Sequence, residues 1–325
     1  MQPIKTIVVL GAGAMGAYFA GRFFDADGFS ARFLARDRRL KRLQSKGLII
    51  NDRPYAIPAI HPEEVESPAD LIIVALKHHH LPDAVQDLKH CVGESTTILS
   101  VMNGLESEET LGAVYGMDKV LYAISVGIDA QREGRRITYT KPGKHYFGEA
   151  VNTPPGERVR RVQEALDRAG IVNEVPEDMI RMLWWKFMVN VGMNQASAVM
   201  RAPYGDFQTS PDLRSVMEAL MTEVIALAEV QGVDLSRRDV EEWYGFLKGL
   251  SPRGKTSMLQ DIEAGRKTEV EMFAGTVVKM GKTRNVPTPV NQTMQHIIRV
   301  LEQKDADAGE GPGSGGGGRF PGETE

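Results

Sequence analysis

The sequence predicts an α/β N-terminal domain of the Rossmann type, with a doubly wound sheet, followed by an all-α C-terminal domain. Three observations carry this. A short β-branched run leads into G-x-G-x-x-G and then a helical pattern within the first 28 residues. Buried-strand runs then alternate with helical stretches as far as about residue 176. From Glu177 onward the strand signals stop and only helical periodicity remains. The chain of 325 residues is long enough for two such domains. The expected boundaries are 1–176, 177–304, and a Gly- and acid-rich tail over 305–325 that cannot build a core and is expected to be disordered.

Thr6 to Leu10, TIVVL, reads as a strand buried on both faces. Gly11-Ala12-Gly13-Ala14-Met15-Gly16 follows it directly and opens the helix AYFAGRFFDADG. Gly11 permits the turn, Gly13 lets backbone approach a pyrophosphate, and Gly16 lets helix and strand pack closely. The free N–H groups of the helix start complement phosphate charge. The alternative, a merely tight βα turn, fits this context poorly. The second strand, Ala31 to Ala35, ends in Arg36-Asp37-Arg38-Arg39. An acidic residue here would suit a free ribose 2′-OH, whereas the guanidinium of Arg36 suits a 2′-phosphate. NADPH is therefore the expected cofactor; Asp37 keeps NAD open, and an exposed basic turn is the plain alternative.

Gly47 to Ile60 reads as a hairpin turning at Asn51-Asp52. Leu71 to Leu76 is a buried strand ending at Lys77, where open α/β sheets place ligands. The following His78-His79-His80 point in different directions and read as a polar loop, so no metal site is expected. Thr97 to Met102 ends similarly at Asn103-Gly104, which alone is no more than a turn former. Val120–Ala130 and Ile137–Glu149 read as a strand pair around Glu133-Gly134 that closes the sheet, and 158–170 as a further helix.

In the second half, 177–200, 211–232, 237–249, 256–264, 268–284 and 291–303 read as helices punctuated by prolines. The first is apolar nearly all round and should be central. Yet Lys186, Asn190 and Asn194 stack at i, i+4 and i+8 on one face, and buried polar groups need partners. The structural alternative is a lysine reaching solvent while the amides bridge helices. Ser257 with Gln260 and Thr268 with Glu271 make two capping-box patterns, leaving Glu269 to complement a helix dipole or to serve chemistry.

Net charge is −4 without a strong basic cluster, which argues against nucleic acid. The single Cys91 excludes an intrachain disulfide framework. No apolar run reaches membrane-spanning length and no signal peptide is evident, so a cytoplasmic location is expected.

Taken together, GAGAMG, LK at 76–77, NG at 103–104, WKFMVNVGMN at 185–194, SMLQDIEAGRKTEVE at 257–271 and VPTPVN at 286–291 resemble the ketopantoate reductases (2-dehydropantoate 2-reductases) over about 300 residues. The resemblance implies NADPH-dependent reduction of ketopantoate to pantoate, in pantothenate and coenzyme A synthesis, in a cleft between two domains. It implies Lys186 as catalytic general acid with Glu269 as its acidic partner, and Asn190, Asn194, Ser257 and Asn103 as substrate-binding. It also implies Gly11 through Gly16, Arg36, Lys77 and Asn103 as cofactor-binding. Many such sequences carry asparagine three residues before the serine, where this chain has Gly254. A reductase of a different 2-oxo acid and a non-catalytic NADP(H)-sensing protein are the alternatives. A small 2-oxo acid is the expected partner, with homodimerisation left open.

Overall fold

The computed structural model describes residues 2–309. Strand β1 (Thr6–Leu10) leads through the glycine loop into α1 (Ala14–Asp25), then β2 (Ser30–Leu34) and α2 (Asp37–Lys46). A hairpin of β3 (Leu48–Ile50) and β4 (Arg53–Tyr55) turns at Asn51 and Asp52, both left-handed, as the sequence predicts for a primed turn. Next come β5 (Ala59–Ile60), β6 (Leu71–Val74), the short α3 (Leu81–Ala84), β7 (Thr97–Ser100), α4 (Ser107–Tyr115) and β8 (Val120–Ile128). The half closes with β9 (Gln131–Glu133), β10 (Arg136–Thr138), β11 (Pro142–Gly148), α5 (Glu157–Arg168) and β12 (Asn173–Glu174).

The main sheet runs in the order β12-β11-β8-β7-β6-β1-β2-β5. β2 and β6 flank β1, both parallel to it, so the strand order reverses beside β1. That switch point is where a doubly wound sheet leaves a crevice at its carboxyl edge. The glycine loop after β1 and Lys77 after β6 both lie there. β8 and β11 pair antiparallel as expected. The Glu133-Gly134 turn, however, does not close this sheet. Its strands β9 and β10 leave and join β3 and β4 in a separate four-stranded sheet against α1, where Ile137 and Ile50 are buried with the α1 aromatics. Turn chemistry marks a hairpin, but not which edge it joins.

The second half is helical: α6 (Met179–Met200), α7 (Tyr204–Thr209), α8 (Pro211–Val230), α9 (Arg237–Lys248), α10 (Ser257–Glu263), a π-helical turn (Glu271–Gly275) running into α11 (Thr276–Arg284), and α12 (Pro289–Gly309). α6 begins where the Asp178 carboxylate accepts from the Arg181 N–H and ends at Arg201 in the left-handed region. Its 22 residues span about 33 Å. Met188, Val191, Met193 and Ala196 sit in one core with Met217, Met221 and Val224 of α8 and Phe273 of the π turn. Met179 and Leu183 pack on Ile124 of β8, tying α6 to the sheet. The expected helix over 268–284 is thus interrupted by a π turn, and the last helix runs beyond 303 to Gly309. The remainder of the expected tail, 310–325, lies outside the described residues.

Candidate active site

Three glycines of the loop do different work. A Cβ at Gly11 would lie 2.3 Å from the Ala75 carbonyl, at a φ of +110°, and one at Gly16 would lie 1.8 Å from the Gly11 carbonyl. Packing alone excludes side chains at both. At Gly13 the nearest atom to a Cβ is 3.9 Å away, so internal packing does not require glycine there. A bare backbone facing open space at the start of α1 fits the approach of a pyrophosphate.

The cap assignments decide what Ser257 can do. The Thr256 hydroxyl, not Ser257, accepts from the Leu259 N–H and caps α10. The capping box expected of Ser257 with Gln260 does not form, because Gln260 turns to the Lys255 carbonyl. Ser257 is thereby free to donate to Asn194 Oδ1 at 3.0 Å. The box expected of Thr268 and Glu271 is also absent. Thr268 donates through both N–H and hydroxyl to Glu302 of α12, while Glu271 pairs with Arg299 and Gln295. In both cases a neighbour supplied by the tertiary fold outcompetes the local partner.

From Ser257 a continuous chain of side chains crosses between the two halves. Asn194 Oδ1 also accepts from the Met258 N–H at 3.3 Å, and Asn194 Nδ2 donates to Asn190 Oδ1 at 3.4 Å. Asn190 Nδ2 donates to Asn103 Oδ1 at 3.2 Å, and Asn103 Nδ2 donates to Glu269 Oε2 at 3.4 Å. The direction is dictated by the ends: a backbone N–H can only donate and a carboxylate can only accept. Every amide between must therefore point one way. Asn190 and Asn194 are 5% and 7% exposed, and the chain supplies the partners that such burial demands.

Lys186 stands one turn before Asn190 on the same face of α6. Among the described residues it makes no hydrogen bond and no ion pair. Burial alone pushes its ammonium down to about 8. The carboxylate expected to offset that fall is engaged elsewhere. Glu269 accepts from Asn103 and from the His78 N–H at 3.4 Å and forms no ion pair with Lys186. Burial raises the Glu269 carboxyl above its ordinary range, opposed by those two hydrogen bonds and by Lys77. Glu269 thus ends the amide chain, while the Lys186 ammonium stands one turn from Asn190 without joining it.

Lys77, after β6 at the carboxyl edge of the sheet, is tied to the helical half. Its ammonium bonds Asp261 of α10 at 2.9 Å and the Lys267 carbonyl at 3.2 Å, joining the sheet to the helical half. Asp261 is held from its other side by Arg266 at 2.9 Å. Nothing in the periodicity marked Asp261 as this partner; it read simply as part of a helix. Arg36 does sit at the end of β2, but its guanidinium meets Asp87 at 2.6 Å and Glu63 at 3.8 Å. His78 to His80 form a 3-10 turn whose last two rings lie 4.2 Å apart. A separate cavity of about 450 Å³, lined by Leu105, Trp184, Lys279 and Met280 among others, contains none of the amide chain. Among the described residues no helix is long and apolar enough to cross a membrane.

The family models for ketopantoate reductase PanE/ApbA and for its C-terminal region match residues 7–152 and 178–302. The chain belongs to the ketopantoate reductase family. It is an oxidoreductase with a Rossmann-type sheet and a helical C-terminal region. A 2-dehydropantoate 2-reductase of Archaeoglobus fulgidus is 27% identical over 299 residues, which is 92% of this chain and 98% of that protein. Among solved structures, the ternary structure of D-mandelate dehydrogenase with NADH and anilino(oxo)acetate superimposes with a TM-score of 0.85 at 19% identity, over 93% of this chain and 99% of that one. A dimeric ketopantoate reductase from Staphylococcus aureus gives a TM-score of 0.77 at 20% identity, over 92% and 99% of the two chains. These last two similarities establish fold.

Proposed function

We propose that the protein reduces 2-dehydropantoate to pantoate with NADPH, using Lys186 as general acid, in a division of labour between a cofactor domain (1–176) and a helical catalytic domain (177–304). The observation that carries this is the unpaired Lys186 ammonium, held at about 8 by burial beside the Asn190–Asn194–Ser257 chain. The nicotinamide supplies a hydride to the carbonyl carbon when bound. Negative charge then builds on the carbonyl oxygen, where a partly desolvated ammonium neutralises it and yields a proton. Near neutral pH a lysine at about 8 is still mostly protonated, yet it gives its proton up far more readily than one at 10.5. Asn190, Asn194 and Ser257 offer hydrogen-bonding groups for the carboxylate and hydroxyl of a small polar acid. Asn103 and Glu269 continue that chain toward the sheet, and in this reading Asn103 serves both ligands. The glycine loop from Gly11 to Gly16 receives the pyrophosphate, and Arg36 and Lys77 stand at the carboxyl edge of the sheet, where a bound cofactor would compete with Asp87 and Asp261 for them. This reading takes the location as cytoplasmic and leaves open a homodimer like the dimeric Staphylococcus aureus protein, which sedimentation of the purified chain would decide.

A second reading, reduction of a different 2-oxo acid, is favoured by Gly254. A Cβ there would lie 2.8 Å from the Tyr204 ring and 3.0 Å from the Ser251 carbonyl. An asparagine at 254 would have to displace the Tyr204 ring, so this chain's packing before Ser257 does not admit that amide. The test is NADPH oxidation followed with ketopantoate and with branched, unbranched and aryl 2-oxo acids. Highest kcat/KM with ketopantoate is expected. A clear preference for an aryl or unbranched acid transfers the assignment to the second reading, and turnover of none of them rejects both in favour of a non-catalytic NADP(H) sensor.

A further inference from the structure

Between α1 and the β3–β4 hairpin lies a cavity of about 180 Å³ that shares no residue with the glycine loop, the amide chain or Lys186. Tyr18 of α1 lines it, is only 1% exposed, and its hydroxyl makes no hydrogen bond among the described residues. A buried hydroxyl without a partner is costly, so its presence at the wall of a cavity points to a ligand. Burial pushes this hydroxyl up to about 12, which keeps it an O–H donor at any working pH. Tyr139, whose ring centroid lies 5.2 Å from that of Tyr18, brings a second hydroxyl without a partner among the described residues.

The charges around the cavity decide what that ligand is. Asp25, the one carboxylate lining it among the described residues, is fully engaged: Arg53 meets its two oxygens at 3.0 and 3.2 Å, and Tyr55 donates to it at 2.6 Å. Arg22 is different. It donates from Nε to the Ala169 carbonyl at 3.1 Å and from Nη2 to the Gly170 carbonyl at 2.6 Å, and meets no carboxylate among the described residues. Its charge is therefore uncompensated and its Nη1 unengaged. At the hairpin turn, Asn51 spends its Oδ1 on the Tyr139 N–H at 2.9 Å, which leaves its Nδ2 as a donor. The unengaged groups are thus a guanidinium nitrogen, an amide nitrogen and two hydroxyls, donors in excess around one positive charge. An oxyanion, all acceptor, is their complement. We propose that this cavity binds a small oxyanion, a carboxylate or a phosphate, held by Arg22, Tyr18, Tyr139 and Asn51. The volume admits several water-sized groups and no more. Seated there, the anion ties the β3–β4 turn to the helix that carries the glycine loop, at a place distinct from the 2-oxo acid site.

The experiment titrates the full chain with acetate, lactate and inorganic phosphate at an ionic strength held constant with chloride, following Tm and the heat of binding. It compares the unaltered protein with Tyr18→Phe, Tyr139→Phe, Arg22→Gln and Lys186→Met. At least one of the three anions should bind and raise Tm in the unaltered protein and equally in Lys186→Met, whose catalytic cleft has lost its cation. Affinity should fall about tenfold or more in each phenylalanine variant, and further in Arg22→Gln. Tyr18→Phe removes a hydroxyl that pairs with nothing in the protein, so it folds and reports even if Arg22→Gln, which gives up two carbonyl contacts, does not. Tighter binding of the carboxylates names them as the ligand class, and tighter binding of phosphate names phosphate. A response no greater than that to chloride overturns the proposal, as does parental affinity in both phenylalanine variants. Loss of binding in Lys186→Met overturns it too, because the anion then sits in the catalytic cleft.

Discussion

Replacing Lys186 by methionine should make the protein more stable and nearly inactive. Methionine keeps the length of the side chain and packs readily in irregular apolar surroundings, so the substitution removes a charge with little change of volume. Burial lowers the ammonium from 10.5 to about 8 with no acidic partner to offset it. At about 1.4 kcal/mol per tenfold in proton affinity, that interval is roughly 3 kcal/mol, trimmed to about 2 kcal/mol because the side chain is only half-buried. The sign follows from proton linkage. Below pH 8 Lys186 is charged in both states and the folded protein bears the whole cost. Between about 8 and 10.5 the folded form sheds its proton while the unfolded chain keeps its own, so the cost fades as pH rises. Urea unfolding should therefore show Lys186→Met more stable by about 2 kcal/mol at about pH 7, with the gap narrowing by about pH 9.5. Turnover should fall by about 10²–10⁴, and kcat/KM of the unaltered enzyme should decline as pH rises through about 8. A variant no more stable than the parent, or a gap that ignores pH, refutes the desolvation account. Near-parental turnover refutes the role as acid.

Asn194→Ala leaves the buried Met258 N–H and the Ser257 hydroxyl without their acceptor, so a loss of about 1–3 kcal/mol is expected in denaturant unfolding together with a raised KM for the 2-oxo acid. Glu269→Gln removes a desolvated charge but keeps only one acceptor oxygen, so either the Asn103 amide or the His78 N–H, which bond different oxygens of the carboxylate, loses its partner; the two effects on stability oppose each other, kcat should fall about 10- to 100-fold, and parental kcat would mean that the charge at this position is idle. Glu223 of α8 accepts from the Val290 and Asn291 N–H groups and from the Asn291 side chain at the start of α12. Glu223→Ala should lower Tm by several degrees, about 2–3 kcal/mol on the scale of a buried charged cap, without altering kcat in the enzyme that remains folded.

The β-branched runs, the glycine spacing and the change of period at Glu177 determined the sheet, the cofactor loop and the helical half, because these depend on local sequence and on which faces are apolar. The i, i+4, i+8 row on α6 likewise marked Lys186, Asn190 and Asn194 as a polar face in an apolar helix. What the row faces was not legible. Asn103 comes from a turn after β7 and Ser257 from the first turn of α10, and only the packing of the two halves aligns them into one directed chain. The same holds where local rules failed: Thr256 displaced Ser257 as cap, Glu302 displaced Glu271, and Asp261 took Lys77. Each time a group distant in sequence offered a hydrogen bond or charge better placed than the near one. Arg132 is the extreme case, since the β9–β10 strands could have extended the main sheet. By joining β3 instead they carry that guanidinium to the glycine loop, a pairing choice made by burial of Ile137 against α1 rather than by any pattern in the chain.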